Sequence, residues 1–374
     1  MNRNFSKSSI ITKEFDWVLA FIAAALSVFG LFAVYSATLS TAGSSSPIVQ
    51  FIAAIIGTGL MFFLCFFDYE QFIPIIKYIY IFYVAFLILV IITGTTGKWG
   101  SKSWLKIGSV SLQPSEFAKA CFILTFSYHL SMIKENVNKP IVIIGLILHL
   151  AVPVGLIILQ PDMGTAIVFI FIFCVMLFSA KLSYKYIIPS IAALLCAMPI
   201  GYHFLSTFQK NRIRVFFNPE LEPLKSGYNV IQSKIAVGSG GLSGKGYLEG
   251  PQNQLGILPA KSTDFIFSSI SEEFGFIGSV LIILALFIII FKCVRIASKS
   301  DNLFGRYICI GVSAMLFFHT VENIGMCIGL LPVTGIPLPF LSYGGTSLIT
   351  NLASVGLVLS VAYHNKPRSV FELR

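Results

Sequence analysis

Residues 205–278 read LSTFQKNRIRVFFNPELEPLKSGYNVIQSKIAVGSGGLSGKGYLEGPQNQLGILPAKSTDFIFSSISEEFGFIG, and they interrupt an otherwise apolar chain. Over residues 206–270 the sequence is polar, basic and rich in glycine. Loops of this length inside a compact domain are usually either functional or disordered. Because tyrosine, phenylalanine, isoleucine and leucine recur within it, we expect this loop to bury apolar surface and to be ordered.

The composition predicts a polytopic, all-α membrane protein with one domain, residues 1–374. Hydrophobic residues make up 56% of the chain and charged residues 11%, with a mean hydropathy of +0.85, whereas soluble domains carry about 25% charged residues. Each segment in lipid must be a helix, because its backbone groups find no water to bond. Runs of membrane-spanning length predict ten transmembrane helices: 17–37, 48–67, 74–93, 115–133, 141–159, 164–180, 186–204, 273–292, 305–328 and 342–362.

Lysine and arginine predict the orientation. The short loops 38–47, 160–163 and 329–341 carry none of either, and the longer loops 94–113 and 206–270 carry three and seven. The positive-inside rule, which long loops obey only weakly, therefore places both termini in the cytoplasm and the large loop between the seventh and eighth helices outside. The net charge of +10 then reflects anchoring to anionic lipid rather than nucleic-acid binding.

Several ionisable residues interrupt the predicted membrane helices. Glu116 and Lys119 are spaced i, i+3 at the start of the fourth run, so they share one helix face and can pair. Intramembrane charges suggest function by default, although a purely structural pair is an alternative. Asp162 follows a proline at a tight turn, where capping the next helix and a functional role are equally open. His319 and Glu322 are also spaced i, i+3, and they either fix helix packing or serve the site.

Two irregular segments carry further candidates. GSGGLSGKG at 238–246 fails the phosphate-loop pattern because Ser239 and Gly246 stand where glycine and serine or threonine are needed. An anion-binding nest beside Lys245 and a flexible turn both remain open there. Residues 331–346, LPVTGIPLPFLSYGGT, contain three prolines and a glycine pair. They predict a broken segment that is tolerated only where protein or a cavity covers it.

Asp264 is the last polar residue of the large loop before an apolar stretch, in LPAKSTDFIF. A carboxylate in such a half-desolvated position is suited to act as a general base with a raised pKa. Capping of the next helix by Thr263 and Asp264 is an equally good interpretation from the residues alone.

The chain resembles the SEDS family of shape, elongation, division and sporulation proteins, and its elongation members more than its division members. The resemblance rests on blocks that occur in the family's order: QPSEFAK (113–119), QPDMGT (160–165), QSKIAVGSGGLSGKG (232–246), TDFIF (263–267), EEFGFIG (272–278), ENIGM (322–326) and GIPLPFLSYGGT (335–346). It implies ten transmembrane helices and a peptidoglycan glycosyltransferase that polymerises lipid II at the outer face of the bacterial cytoplasmic membrane.

The resemblance also implies roles for particular residues. Asp264 matches the family's essential loop aspartate, while Glu116, Lys119 and Asp162 match its conserved polar positions. One departure is Ala260, where the family block usually has glutamate. The family works with a class B penicillin-binding protein, a transpeptidase, which we therefore expect as a partner.

The expected reaction joins an undecaprenyl-diphosphate-linked glycan to lipid II. Asp264 would take a proton from the acceptor hydroxyl, which attacks the anomeric carbon and inverts it. The leaving diphosphate would be met by a cation, with Mg or Mn as a candidate cofactor. The candidate substrate-binding residues are Glu116, Lys119, Asp162, Arg212, Arg214, Gln232, Ser239 and Lys245.

Three alternatives stay open at this point. In an extended strand Arg212 and Arg214 would face the same way and form a clamp, or they would simply anchor the surface. A second alternative is a lipid II flippase, which would require polar groups that extend to the inner leaflet. A non-catalytic scaffold would only recruit cell-wall enzymes.

Overall fold

The computed structural model describes residues 15–39, 46–95, 103–107, 110–189, 207–222 and 226–365, with residues 192, 196, 202 and 203. The described elements are mainly helices, in the order α1 Trp17–Thr38, α2 Ser46–Phe66, α3 Ile76–Thr93, α4 Pro114–Ile133, α5 Pro140–Leu159, α6 Met163–Ser179, α7 Thr207–Phe217, α8 Ser226–Ser239, α9 Pro251–Gln254, α10 Ile266–Lys299, α11 Leu303–Cys327 and α12 Gly345–His364. Short 3-10 helices span Tyr69–Ile75, Lys134–Asn138 and Pro219–Leu221. An antiparallel hairpin pairs β1, Leu105–Ile107, with β2, Val110–Leu112.

Helices of membrane-spanning length dominate the described part of the chain. Seven apolar helices are long enough to cross a bilayer, namely α1, α2, the segment Tyr69–Thr93 that ends in α3, α5, α10, α11 and α12. The apolar helix α6 is shorter, and α4 occupies the fourth predicted run. The prediction of a polytopic, all-α membrane protein is therefore confirmed.

The finer topology remains a prediction. Residues 184–189 at the start of the predicted run 186–204 are helical, but most of that run lies outside the described residues. The chain ends, 1–14 and 366–374, also lie outside them. Within the predicted outer loop 206–270 the chain forms α7, α8 and α9.

The buried centre of the bundle is formed by α11 and α12. α11 packs against α4, α6, α10 and α12, whereas α12 packs most extensively against α2. The backbones of α2 and α12 approach so closely that a Cβ on Gly356 would lie 2.6 Å from the carbonyl oxygen of Met61. Small residues allow this kind of contact between membrane helices. Because α11 is surrounded by other helices, its polar residues His319, Glu322 and Asn323 are buried inside the protein and do not face lipid.

The predicted broken segment connects α11 to α12 without regular structure. Its apolar residues Ile336, Leu338, Phe340 and Leu341 are all buried. A Cβ on Gly30 of α1 would lie 2.5 Å from the carbonyl oxygen of Phe340. Protein therefore covers this irregular backbone, as its polar groups require at this position.

α10 begins at Ile266, seven residues before the predicted start at 273. Its first two turns contain Ser268, Ser269, Ser271 and Glu272, which hid the helix from a hydropathy-based prediction. The helix bends at Gly275, whose φ of 65° and ψ of −161° are strained for any other residue.

Candidate functional site

Asp264 lies in the last turn before α10 and is 7% exposed. Its backbone oxygen accepts a hydrogen bond of 2.8 Å from Asn323 Nδ2. A Cβ on Gly335 would lie 3.7 Å from its Oδ2, so the carboxylate is next to the broken segment. The N-cap position of α10 is Phe265, with no side-chain cap bond. The alternative from the sequence assigned capping to Thr263 and Asp264, and neither of these is the N-cap residue.

Glu116 and Lys119 form the ion pair expected from their spacing. Lys119 Nζ lies 2.8 Å from Glu116 Oε1 and 3.0 Å from His319 Nε2, and all three residues are buried. His319 from α11 is thus a second hydrogen-bond partner of Lys119, and its Nε2 accepts a hydrogen bond from Nζ when Lys119 is charged. Glu116 Oε2 has no hydrogen-bond partner among the described residues.

Asp162 caps α6, as the turn sequence predicted. Its Oδ1 accepts from the Thr165 amide at 3.2 Å, and its Oδ2 accepts from the Thr165 hydroxyl at 2.9 Å and from Gln113 Nε2 at 3.3 Å. Burial raises the pKa of Asp162, while the bonds from Thr165 oppose that shift. Capping does not exclude a role in the site, because the carboxylate also lines a cavity.

A small polar cavity of about 30 Å³ joins these groups. It is lined by two carboxylates, one ammonium and the broken segment: Gln113, Glu116, Lys119, Asp162, Thr165, Val168 and residues 334–337. It has room for about two water molecules. Gly335 lines this cavity and also neighbours Asp264. The broken segment therefore contacts both Asp264 and the cavity that Glu116, Lys119 and Asp162 line.

Arg212 reaches the same segment from α7. Its Nη1 donates a 3.2 Å hydrogen bond to the carbonyl oxygen of Thr334. Burial lowers the pKa of Arg212, and the negative charges of Asp264 and Asp162 counteract this. Arg212 therefore lies close enough to both aspartates for their charges to stabilise its cationic form.

The predicted arginine clamp is wrong. Thr207–Phe217 is an α-helix and not an extended strand. Helical residues two positions apart point about 200° away from each other. Arg214 accordingly is exposed, while Arg212 is partly buried against Thr334.

The glycine-rich segment 238–246 docks against α10 through its backbone. The amides of Lys245 and Gly246 donate to the carbonyl oxygens of Glu272 and Glu273, at 2.9 and 3.1 Å. A Cβ on Gly244 would lie 2.1 Å from the Glu273 oxygen, so the glycine allows this contact. These two amides are consequently engaged and do not face outward as an anion nest requires.

The remaining three predicted substrate-binding residues, Gln232, Ser239 and Lys245, do not line this polar cavity. Lys245 is exposed, and Ser239 donates its hydroxyl to the carbonyl oxygen of Ala236. Gln232 is half-buried on α8. A substrate contact by any of them stays a prediction.

Two buried glutamates form a polar cluster that the sequence analysis missed. The Glu272 carboxylate accepts from the amides of Gln252 and Asn253, at 2.8 and 3.0 Å. Glu273 accepts from Asn253 Nδ2 at 2.7 Å and from the Ser36 hydroxyl of α1. Adjacent carboxylates at the start of an apolar helix are costly without partners. That pattern is the feature of the sequence from which this cluster could have been predicted. The cluster fixes residues 252 and 253 to the start of α10.

A divalent cation has only a partial set of protein ligands here. Among the described residues, no group of three or more histidine, cysteine, aspartate or glutamate side chains converges on one point. Glu116 and Asp162 line one cavity. Magnesium is often bound by one or two carboxylates together with substrate phosphates and water. The residues thus fit a cation that a diphosphate helps to bind, and the requirement itself stays a prediction.

Together these observations define the class: a polytopic helical membrane protein with a polar cavity inside its bundle, lined by Glu116, Lys119 and Asp162. The family model of the FtsW/RodA/SpoVE cell cycle proteins matches residues 16–367. The chain belongs to this family, the SEDS family, as its motifs implied.

Relatives and solved structures agree with this membership. The peptidoglycan glycosyltransferase RodA of Treponema pallidum (strain Nichols) is 33% identical over 93% of this chain and 97% of its own. The peptidoglycan glycosyltransferase MrdB of Escherichia coli (strain K12) is 40% identical over 80% of each chain. A chain solved in a peptidoglycan synthase complex for polymerization and crosslinking superposes with a TM-score of 0.81, at 29% identity, over 93% of this chain and 97% of its own. The rod shape determining protein RodA of Thermus thermophilus gives 0.70 at 27% identity, over 94% and 98%. Similarity to elongation members is thereby confirmed.

Proposed function

We propose that this multi-pass protein of the bacterial inner membrane is a peptidoglycan glycosyltransferase, which polymerises lipid II into glycan strands during cell elongation. Family membership and the glycosyltransferase relatives support the reaction class. The observation that carries the assignment of the site is the position of Asp264. Its carboxylate lies beside Gly335, which lines a polar cavity with Glu116, Lys119 and Asp162.

In the proposed reaction Asp264 acts as general base. It takes the proton from the acceptor hydroxyl as the hydroxyl oxygen bonds to the anomeric carbon of the growing glycan. The bond from that carbon to the diphosphate oxygen breaks, and its electron pair leaves with undecaprenyl diphosphate. A single displacement of this kind inverts the anomeric carbon.

The leaving diphosphate requires compensating positive charge. Two cations are placed for this role. Lys119 lines the polar cavity, and Arg212 bonds the backbone of Thr334, which also lines it. Arg212 is preferable as a direct contact, since a guanidinium binds phosphate oxygens in pairs. Lys119 is already held by Glu116 and His319. A magnesium or manganese ion held by Glu116 or Asp162 would add further charge at the diphosphate.

Substrate binding requires the site to open. A cavity of about 30 Å³ cannot contain a sugar, because ligand pockets are typically about 300–1,000 Å³. The broken segment is the wall shared by Asp264 and the cavity. Displacement of residues 334–337 would merge the two sides into one groove.

The membrane arrangement that fits this reaction has ten transmembrane helices, cytoplasmic termini and an extracytoplasmic loop at 206–270. Asp264 would then lie at the outer face, where lipid-linked disaccharides are polymerised. A class B penicillin-binding protein is the proposed partner. The similarity to a chain from a peptidoglycan synthase complex that combines polymerization and crosslinking supports it.

The test uses the purified full-length chain in detergent or vesicles with fluorescent lipid II, with and without the penicillin-binding protein. We expect glycan strands from the wild type and none from Asp264→Asn, which is nearly isosteric but cannot accept the proton. Asp301→Asn, an exposed aspartate on another loop, is the matched control and should polymerise normally.

The assay also separates the alternatives. Polymer formed by a folded Asp264→Asn protein would refute the role of this residue. Movement of labelled lipid II between leaflets without polymer would favour a flippase. If the protein shows neither activity but still binds the penicillin-binding protein, the scaffold function is the remaining interpretation.

A further inference from the structure

Three polar residues near the end of α11 lie on one face of the helix and contact different parts of the site. His319, Glu322 and Asn323 are spaced i, i+3 and i+4, which places them side by side. All three are buried. His319 contacts Lys119, and Glu322 accepts from the Thr334 hydroxyl at 2.8 Å. Asn323 is the member that reaches the proposed base.

Asn323 joins two irregular segments of the chain. Its Nδ2 donates to the backbone oxygen of Asp264 at 2.8 Å and to that of Ile336 at 2.8 Å. An amide NH₂ group has two hydrogens, so both are used here. The side chain is 0% exposed, which excludes competition from bulk water. One residue of a rigid helix thus fixes the peptide of the base and the segment that faces its carboxylate.

The same two segments are joined again a few residues away. Ser342 Oγ donates to the carbonyl oxygen of Thr263 at 2.7 Å, and the Tyr343 amide donates to that of Ser262 at 2.8 Å. Both bonds hold the residues directly before Asp264. Asn323 donates to the oxygen of Asp264 itself, which also accepts a weaker contact of 3.7 Å from the Cys327 thiol. Loss of Asn323 would therefore remove the stronger of these two bonds.

We propose that Asn323 is a positioning residue for transfer: it sets the direction of the Asp264 carboxylate by holding the peptide oxygen of that residue against the broken segment. This inference rests on the proposed function. The direction of the Cα–Cβ bond follows the peptide plane, and a displacement of about 1 Å at a reacting group can cost on the order of 100-fold in rate. Asn323 does not touch the reacting atoms and acts only through Asp264 and Ile336.

The chemistry of the position explains why an asparagine is needed. The two acceptors are carbonyl oxygens, so the side chain must supply two donors from one short, uncharged group. Leucine has a similar shape and no donor, while aspartate would bring an anion against both oxygens. Serine supplies one donor. In the series Asn, Ser, Leu, the number of hydrogen bonds that residue 323 can donate to the oxygens of Asp264 and Ile336 falls from two to one to none. Aspartate, the last member of the series, would in addition repel both oxygens.

The experiment compares initial polymerisation rates of these variants over a range of lipid II concentrations. We expect Asn323→Leu to lower kcat by about 10- to 100-fold and to change KM by less than about threefold. Asn323→Ser should be intermediate, and Asn323→Asp the least active. A merely structural role would not produce this order together with an unchanged KM.

Asn351 on α12 provides the matched control. It is equally buried, and its Nδ2 donates a hydrogen bond of 3.4 Å to Ser347, which does not line the polar cavity. Asn351→Leu should keep the wild-type kcat. Thermal unfolding of every variant is measured in parallel, and Asn323→Ser keeps one donor in case Asn323→Leu does not fold.

The possible outcomes are distinguishable. Wild-type kcat in Asn323→Leu, or an equal loss in Asn351→Leu, would overturn the positioning role. So would a rise in KM with kcat unchanged. If Asp264→Asn remains active, the proposed role of Asp264 as the base fails and this inference fails with it, whereas an inactive Asp264→Asn beside a fully active Asn323→Leu refutes only this inference.

Discussion

Replacement of Lys119 by methionine would leave Glu116 as a buried carboxylate without its cation. The two charges are 2.8 Å apart, and their side chains are only 2% and 4% exposed. With an effective dielectric constant of about 20, their attraction is about 6 kcal/mol, before the desolvation of both ions is subtracted. Removal of one partner from a buried pair typically costs about 3–5 kcal/mol, and we expect Lys119→Met to lose that much stability.

Two further variants isolate the cause of this loss. Glu116→Gln combined with Lys119→Met removes the unpaired charge, so the double variant should regain most of the lost stability. Lys292→Met breaks the other described ion pair, which joins Asp16 at 2.9 Å with both side chains 19% exposed. Partly exposed pairs contribute about 0.2–1 kcal/mol, so this control should change stability little.

Stability is measured by denaturant unfolding in detergent, followed by tryptophan fluorescence, and activity by lipid II polymerisation. The reasoning is refuted if Lys119→Met is as stable as Lys292→Met, or if the double variant is no more stable than Lys119→Met. The activity measurement tests whether Lys119 also takes part in substrate binding. If the double variant regains polymerisation together with stability, the pair is structural and Lys119 has no part in substrate binding.

Two other predictions concern backbone geometry and pH. Gly275→Ala should destabilise the protein by about 2–4 kcal/mol, because the residue has φ of 65° and the added Cβ would lie 2.3 Å from the Gly244 amide nitrogen. The control Gly155→Ala, which has open space around the added Cβ, should leave stability unchanged or slightly increased. Equal Tm values for the two variants would contradict this prediction. For Asp162, burial raises the folded-state pKa, so the folded state binds the proton more tightly than the unfolded state does and wild-type stability declines as the pH rises through that pKa. Asp162→Asn keeps an N-cap acceptor but lacks this proton, so its Tm relative to wild type should increase from about pH 4 to about pH 7, and a constant difference would contradict the shift.

Local patterns predicted a large part of this molecule. Apolar runs of bilayer length became helices wherever the structure describes them, because a backbone in lipid has no other way to satisfy its polar groups. The pair Glu116 and Lys119 formed because an i, i+3 spacing fixes the distance once a helix exists. Asp162 caps α6 for a similarly local reason.

Features that depend on distant parts of the chain were missed. Arg212 and Arg214 lie in a polar stretch without clear periodicity, and a helix there separates the two side chains that a strand would align. Glu272 and Glu273 find partners from other elements, including Ser36 of α1. Asn323 shows the same limit, since its two acceptors are 59 and 13 residues away. A sequence reports that a buried polar group needs partners, but only the tertiary fold supplies them.

Arg212, the proposed diphosphate ligand, also makes one of the contacts that hold the broken segment. Thr334 is held by Arg212 through its carbonyl oxygen and by Glu322 through its hydroxyl. A diphosphate that takes the guanidinium of Arg212 removes the first of these bonds, because an ionised phosphate is a far stronger acceptor than a carbonyl. Glu322 would then hold the hydroxyl alone, and the broken segment would be held by its remaining contacts, which include the bond from Asn323 to Ile336. In the proposed reaction, the charge of the substrate would therefore also remove one of the bonds that hold the broken segment beside Asp264. Asn323 meanwhile holds the Asp264 peptide by a bond that the diphosphate does not contact.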